Sequence, residues 1–384
     1  MSSSVFRRLV FTSNGLFTNR LHPPLRHRNI HFHPSPLAKM RVHVFIDWDG
    51  TITEKDTMHV VAELGYSNAA DANDGKPWDE QVHLRPWDSI VKAYAADLKA
   101  HTAAYTPRAE DRHTIEQEHA WLESLRPVEL RSIRRVEKAQ IFNNVHRREL
   151  RAFIRHLASR HDSDPEAKIK LRDGWYRLFV PHRWKIDVLS VNWSADFIHT
   201  FIAFAFQHML PDNAQKNTLR ACQRVCKVIA NEFFHFPTFA NGRTTGRLFK
   251  QDILTSADKQ RVIREERIVS SPDLIVYVGD SVTDFGALLE ADIGIIFRDE
   301  PMTSSQKELA GTLERVGVAV KELDKLVLKT EGSEVVLPTC EKPVLYTVRD
   351  LEQIVILLRR CKATPPESMT LPSSEEMDTE VRLE

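Results

Sequence analysis

The chain has 384 residues, 53 Lys or Arg balanced by 53 Asp or Glu, 42% apolar content and 4 cysteines. That length fits one large domain plus a smaller one, and the apolar share excludes a wholly disordered chain. Zero net charge with a mean hydropathy of −0.35 argues against a dedicated nucleic-acid binder, and the richest apolar run, 201–206, falls far short of the ~20 residues that cross a bilayer.

Residues 1–40 carry Arg7, Arg8, Arg20, Arg26, Arg28 and Lys39, with no acid before Asp47. This basic leader reads as disordered or as a mitochondrial import signal, so the expected compartment is cytoplasmic, or mitochondrial if the leader directs import. Met40 stands directly before the first strand, and the plainer reading is a dispensable extension. The β-branched run Val42–Ile46 predicts a buried strand that stops at Asp47, followed by Asp49, Gly50 and Thr51. Two more apolar runs end likewise: Ile186–Leu189 leads into Ser190 and Asn192, and Leu274–Val278 into Gly279 and Asp280. Val225–Ala230 is a fourth candidate, with spacing that fits a helix equally. Strands of this kind, buried on both faces, predict an α/β fold with a doubly wound parallel sheet, whose ligands sit at the carboxyl edge.

The interval 57–170 reads as a helical insertion into a core of 41–56 and 171–361. Ile115, His119, Leu122 and Leu125 share one face, Pro127 opens a new helix, and Leu150, Phe153, Ile154 and Leu157 make another stripe. From Arg126 to Arg160 there are 10 Lys or Arg against 3 Glu. A solvated helix face accounts for that charge, with a field that attracts an anionic substrate as the functional alternative. Aromatic residues do not interleave with these arginines, so no nucleic-acid partner is expected; nor is a membrane. Residues 362–384, rich in Asp and Glu, read as a disordered acidic tail. Cys222, Cys226, Cys340 and Cys361 lack paired zinc spacing and read as reduced thiols; Cys222 and Cys226 would share a face if helical. Oligomeric state is not legible.

Asp47, Asp49, Asp280 and Asp284 bring four carboxylates to the ends of two strands, a charge density that calls for a cation. Hard oxygen donors without a His or Cys cluster favour Mg2+. With its charge offset, Asp47 can attack a phosphoryl group. Ser190 offers a hydroxyl and Lys259 a compact cation to phosphate oxygens, with Lys250 a rival. Thr51 and Asn192 are further candidates for substrate contact. Asn192 and Asp196 read equally as caps of the helix after Ser190, and Trp48 as a filler under the insertion.

Asp47-Trp48-Asp49-Gly50-Thr51, the run closing in Ser190, Lys259, and Gly279-Asp280-Ser281-Val282-Thr283-Asp284 resemble, in order, the four motifs of the haloacid dehalogenase superfamily. The resemblance implies a Rossmann-like core with an inserted helical cap, an aspartyl-phosphate formed on Asp47, and Asp49 as the proton donor whose main-chain carbonyl also meets the metal. It further implies Ser190 and Lys259 at the phosphate and Asp280 and Asp284 supporting Mg2+. Asp at position 49 is similar to phosphatases and mutases rather than to transport ATPases, which have Thr there. Thr51-Ile52-Thr53, Asp56-Thr57, Asn192-Trp193-Ser194, Ala230-Asn231-Glu232 and Leu289–Gly294 resemble the phosphoserine-phosphatase-like branch. A narrower likeness runs to the phosphatase half of plant thiamin monophosphate phosphatase and fungal relatives, although the thiaminase-like half has no counterpart and the insertion is longer. The expected activity is a Mg-dependent phosphatase acting on a small phosphorylated metabolite. The alternatives are a phosphomutase or phosphotransferase, or a silent binding protein on the same fold.

Overall fold

The structure, a computed structural model, describes residues 40–71, 85–160, 164, 166–179, 184–209, 226–235, 243–249, 253–326, 329–331, 334–336 and 343–361. The leader, the acidic tail, Cys222, Cys340 and Lys250 lie outside the described residues.

The organising element is β1 (Val42–Ile46), whose five residues are all buried. After it come helices α1 (Met58–Asp71), α2 (Arg85–Ala104), α3 (Ile115–Ser124) and α4 (Arg126–Ala139), strand β2 (Asn143–His146) and helix α5 (Arg147–Ala158). The chain then forms α6 (Trp175–Phe179), β3 (Trp184–Leu189), α7 (Ala195–Met209), β4 (Cys226–Ile229), β5 (Arg243–Thr245), α8 (Ser256–Val269) and β6 (Leu274–Gly279). It continues with α9 (Phe285–Glu290), β7 (Ile293–Phe297), α10 (Ser304–Arg315), β8 (Ala319–Glu322), a hairpin of β9 (Lys329–Glu331) and β10 (Glu334–Val336), β11 (Val344–Val348) and α11 (Leu351–Arg360).

Seven strands make one sheet in the order β4-β3-β1-β6-β7-β11-β8, parallel at every pairing. β1 is zipped on both edges, Val42 lying opposite Trp184 of β3 and Leu274 of β6. The fold is therefore the expected α/β class, and β3, β1 and β6 are adjacent. Their carboxyl ends bring Ser190, Asp47 and Asp280 to one edge.

The period-2 alternation of the strands divides the core into two layers. Val44, Ile46, Val188, Val276 and Val278 face one side, with Phe197, Phe201 and Phe206 of α7 and Leu351 and Ile354 of α11. Phe45, Leu189, Ile275 and Tyr277 face the other, with Ile263 of α8, Leu288 of α9 and Leu309 of α10. The 201–206 run thus belongs to a buried core helix.

Between β1 and β3 the expected helices form: Pro127 sits in the first turn of α4, and Leu150, Ile154 and Leu157 are the buried stripe of α5. α2 packs on α4, α5 on α7 and α3 on α8. Two details differ from the sequence reading. β2 pairs antiparallel with β5, so this stretch is not purely helical; Asn143, Asn144 and His146 leave Val145 as the sole apolar residue, too little alternation to read as a strand. Cys226 begins β4 rather than sharing a helix face with Cys222. Four of the basic residues are in ion pairs: Arg131 and Arg135 with Asp97 of α2, Arg126 with Glu123 and Asp258, and Arg160 with Asp164. No described helix is long and apolar enough to cross a membrane.

Candidate active site

The loop after β1 is drawn tight by one carbonyl. Trp48 C=O accepts from the backbone N–H of Thr51, Ile52 and Thr53 and from the Thr53 hydroxyl, while Asp47 N–H donates across to Val278 at 2.9 Å. Gly50 takes φ of +76°, and a Cβ there would sit 2.5 Å from Asp280 Oδ2. Only glycine meets both the left-handed backbone and the close approach.

The turn after β6 is built around Asp284, which is fully buried. Its Oδ2 accepts from the N–H groups of Asp280 (2.9 Å) and Ser281 (3.0 Å) and from the Ser281 hydroxyl (3.3 Å). Its Oδ1 accepts from Tyr277 Oη at 2.6 Å and Lys259 Nζ at 2.7 Å. Lys259 follows Asp258, the residue that completes the capping box of α8 with Thr255, so helix initiation itself delivers the ammonium. Lys259 Nζ also lies 3.0 Å from Asp47 Oδ1, and its side chain has no solvent exposure. Lys259 thus meets Asp47; its rival from the sequence, Lys250, lies outside the described residues.

Oxygen atoms of Asp47, Asp280 and Asp284 all lie within 4.8 Å of one another. Burial, with Asp284 next, raises the Asp47 carboxyl well above the usual range against the pull of Lys259. Asp280 is pushed up to about 7 by burial and by Asp284. Burial would lower the Lys259 ammonium, but Asp284 and Asp47 outweigh it and hold it up. Among the described residues, three buried carboxylates meet one ammonium directly, with Arg172 acting on Asp280 from farther off, and this leaves an excess of negative charge. An all-oxygen donor set with excess charge, bounded by a glycine where a Cβ would intrude on Asp280, fits a hard divalent cation such as Mg2+. Asp47 and Asp280 are the available holders. Asp284 already receives five donors, which suits it to orienting the turn and Lys259.

The side chain of Asp49 is placed elsewhere, on the α1 side. Its Oδ1 accepts from the backbone N–H (2.7 Å) and hydroxyl (2.6 Å) of Thr57, and Oδ2 from Asn192 Nδ2 (2.9 Å). Thr57 Oγ1 in turn accepts from Trp48 Nε1 (3.1 Å) and Asn192 Nδ2 (3.2 Å). Two donors on that oxygen force its own proton toward Asp49. Burial, followed by the neighbouring Asp56, raises Asp49 to about 6 even against these bonds.

The remaining candidates take specific places. Thr51 Oγ1 donates to Asp280 Oδ1 at 3.1 Å, so it holds an acid. Ser190 is fully buried and its Oγ accepts from Asn192 N–H at 3.2 Å. The cap of α7 is Ser194, whose Oγ accepts from Phe197 N–H, not Asn192 or Asp196. Trp48 is buried with its ring edge-on to Phe201. Sequence reasoning missed three members. Tyr277 was signalled only by a hydroxyl in an aliphatic strand, Thr57 was quoted with Asp56 in the branch resemblance but given no role, and Arg172 was not signalled at all. Arg172 reaches in from before α6, donating to Gly50 C=O at 2.8 Å and bidentately to Asp299 at 2.6 and 2.9 Å.

No family model matches the chain. A CTO1 family protein of Schizosaccharomyces pombe is 30% identical over 267 residues, covering 66% of this chain and 80% of that protein. The chain belongs to the CTO1 family. Saccharomyces cerevisiae cold tolerance protein 1, 24% identical over 331 residues, spans 79% of this CTO1-family chain and 92% of its own length. Among solved structures, a phospho-aspartyl intermediate analogue of phosphoserine phosphatase aligns with a TM-score of 0.38 at 13% identity, over 83% of this chain and 99% of that one. A phosphoserine phosphohydrolase-like protein from Francisella tularensis aligns at 0.38 and 13%, over 83% and 100%. These structural likenesses are too loose to carry function.

Proposed function

We propose that the chain is a phosphatase of haloacid dehalogenase type that cleaves a small phosphorylated metabolite through a phosphoaspartate on Asp47. The observation that carries this reading is Lys259 Nζ wedged between Asp47 and Asp284 inside a triad of carboxylates from two adjacent strand ends. A purely structural ion pair needs one acid; a third, uncompensated carboxylate beside it is costly unless it serves a charged ligand.

In this reading Asp47 presents Oδ2, since Trp48 N–H and Lys259 both engage Oδ1. That oxygen bonds to phosphorus as the ester P–O bond breaks. The leaving oxygen takes the electron pair and receives the proton from Asp49. Asp49, now a carboxylate, accepts a proton from water, whose oxygen displaces Asp47 and frees inorganic phosphate. Lys259 neutralises Asp47 and the equatorial phosphoryl oxygens, and Ser190 stands at the neighbouring strand end to donate to the same group. Asp47 and Asp280 would hold Mg2+, which when bound offsets the charge of the acid cluster. The segment 57–170 serves as the cap, with Thr57 at its first turn.

The test is release of inorganic phosphate from p-nitrophenyl phosphate with Mg2+, against Asp47→Asn and against chelator, followed by a panel of sugar, amino-acid, nucleotide and vitamin phosphates including thiamin monophosphate. Loss of all release in Asp47→Asn is expected. Equal release from wild type and Asp47→Asn would sink the reading. Release of p-nitrophenol that needs an added hydroxyl acceptor and is not matched by inorganic phosphate would convert it to a phosphotransferase.

A further inference from the structure

A cavity lies farther along the same edge of the sheet, beyond the acids. It has a volume of about 430 Å3 and is walled by the residues that follow β7 and β11, the end of β8 and the first turn of α10. That volume falls within the range of small-molecule pockets, and the carboxyl edge of an open parallel sheet is where such sites form.

The lining is charged in an unbalanced way. Arg298, Lys307, Lys321 and Arg349 face Asp299, Glu300 and Glu322. Asp299 is already neutralised by the bidentate Arg172. Glu300 and Arg349 are 3.4 Å apart with 72% and 69% of their side chains exposed, a pair that water screens almost entirely. Arg298, Lys307 and Lys321 make no ion pair among the described residues. Arg298 is the decisive group: it is partly buried, and its Nε is shut from solvent with no hydrogen-bond partner. Burial pulls its guanidinium below the usual range.

A buried guanidinium N–H without an acceptor costs on the order of 1 to 3 kcal/mol, and a planar fork of donors is matched by an oxyanion. We propose that this cavity is a binding site for a small phosphate-bearing anion, gripped by Arg298 with Lys307, Lys321 and Arg349 around it. The site is separate from the acid triad, where three carboxylates would repel the same ligand unless a cation intervened. It joins the proposed active site through Asp299, whose partner Arg172 holds the Gly50 carbonyl.

The experiment is isothermal titration calorimetry of the whole chain with inorganic phosphate, in metal-free buffer, comparing wild type with Arg298→Gln and with Arg349→Gln. Metal-free conditions disfavour phosphate at the acid triad, and the readout is binding, so an inactive wild type would leave the result intact. Weakening of at least fivefold in Arg298→Gln, with thermal unfolding no lower than wild type, is the expected result. Arg349 is exposed and its substitution leaves the fold intact, so it carries the decision should Arg298→Gln not fold; threefold weakening is expected there. Wild-type protein that binds no phosphate, or variants that fall short of those factors, would overturn the proposal.

Discussion

At the scale of single residues, the site separates acids that are held by cations from an acid that is held by neutral donors. Lys259 belongs to the first set. It is fully buried between Asp47 and Asp284, so Lys259→Met removes the one ammonium that the described residues bring to a group of three carboxylates. Breaking a buried pair from one side leaves charge without a partner, typically 3 to 5 kcal/mol. Proton uptake by Asp47 relieves part of this, and a loss of about 3 kcal/mol in urea unfolding at pH 7 is expected; a change under about 1 kcal/mol would mean the ammonium is not buried as described. Asp49 is the second kind. Thr57 supplies two of its three hydrogen bonds, and the hydroxyl is the one a substitution can remove. Thr57→Val removes the shortest of the three bonds and loosens the hold on Asp49 beside a leaving oxygen. Because placed proton transfer contributes 100- to 10,000-fold, kcat on an alkyl phosphate is expected to fall about 10- to 100-fold. With p-nitrophenyl phosphate, whose leaving group scarcely needs a proton, the fall is expected to stay within about 3-fold. Equal losses on both substrates would remove Thr57 from the proton-transfer apparatus.

At the scale of elements, two loops meet face to face, and what each contributes sets how much of the site is legible in sequence. The strand ends were legible because β1, β3 and β6 are short apolar runs broken by a polar residue, and parallel pairing puts such breaks on one edge. Thr51 was read as a candidate substrate contact and Asn192 as either that or a cap; their side chains also steady Asp280 and Asp49, acids 229 and 143 positions away, which nothing local in the sequence signals. Gly50→Ala tests the loop contact. A methyl group would press on Asp280 at a left-handed backbone position, so Mg-dependent turnover is expected to fall at least 100-fold, with a stability loss of about 1 to 2 kcal/mol. Retained turnover would show that the loops do not close as described. Glu232, after β4, tests a different junction. It accepts from Ser194 Oγ, Asp196 N–H and Phe234 N–H, and burial pushes its carboxyl up from 4.5 to about 7. The folded chain then keeps a proton that the unfolded chain releases, so this contribution is whole below pH 4.5 and is lost as pH rises toward 7. Between pH 5 and 8 wild type is expected to lose roughly 1 to 3 kcal/mol more stability than Glu232→Gln. Parallel pH profiles would place Glu232 in water.

At the scale of the whole molecule, the sheet does not merely carry the acids; it forces them together. Adjacent β1 and β6 each end in an aspartate, and the backbone register between them leaves no freedom to separate the carboxylates. Folding in the absence of a cation therefore works against their repulsion, visible in Asp47 and Asp280 both being displaced upward. A divalent ion that binds the folded chain and not the unfolded one raises stability by mass action, about 2.7 kcal/mol at one hundred times its Kd. Asp280→Asn keeps an oxygen for the Thr51 hydroxyl while removing one negative charge. It is expected to unfold at a higher temperature than wild type in chelator and to gain almost nothing from Mg2+, whereas wild type starts lower and rises with the ion. The two curves should cross as Mg2+ is added. If the substitution lowers stability in chelator, or if both proteins respond to Mg2+ alike, then the carboxylates are already satisfied by Lys259 and by hydrogen bonds, and the acids at the ends of β1 and β6 form a structural knot instead of a cation site.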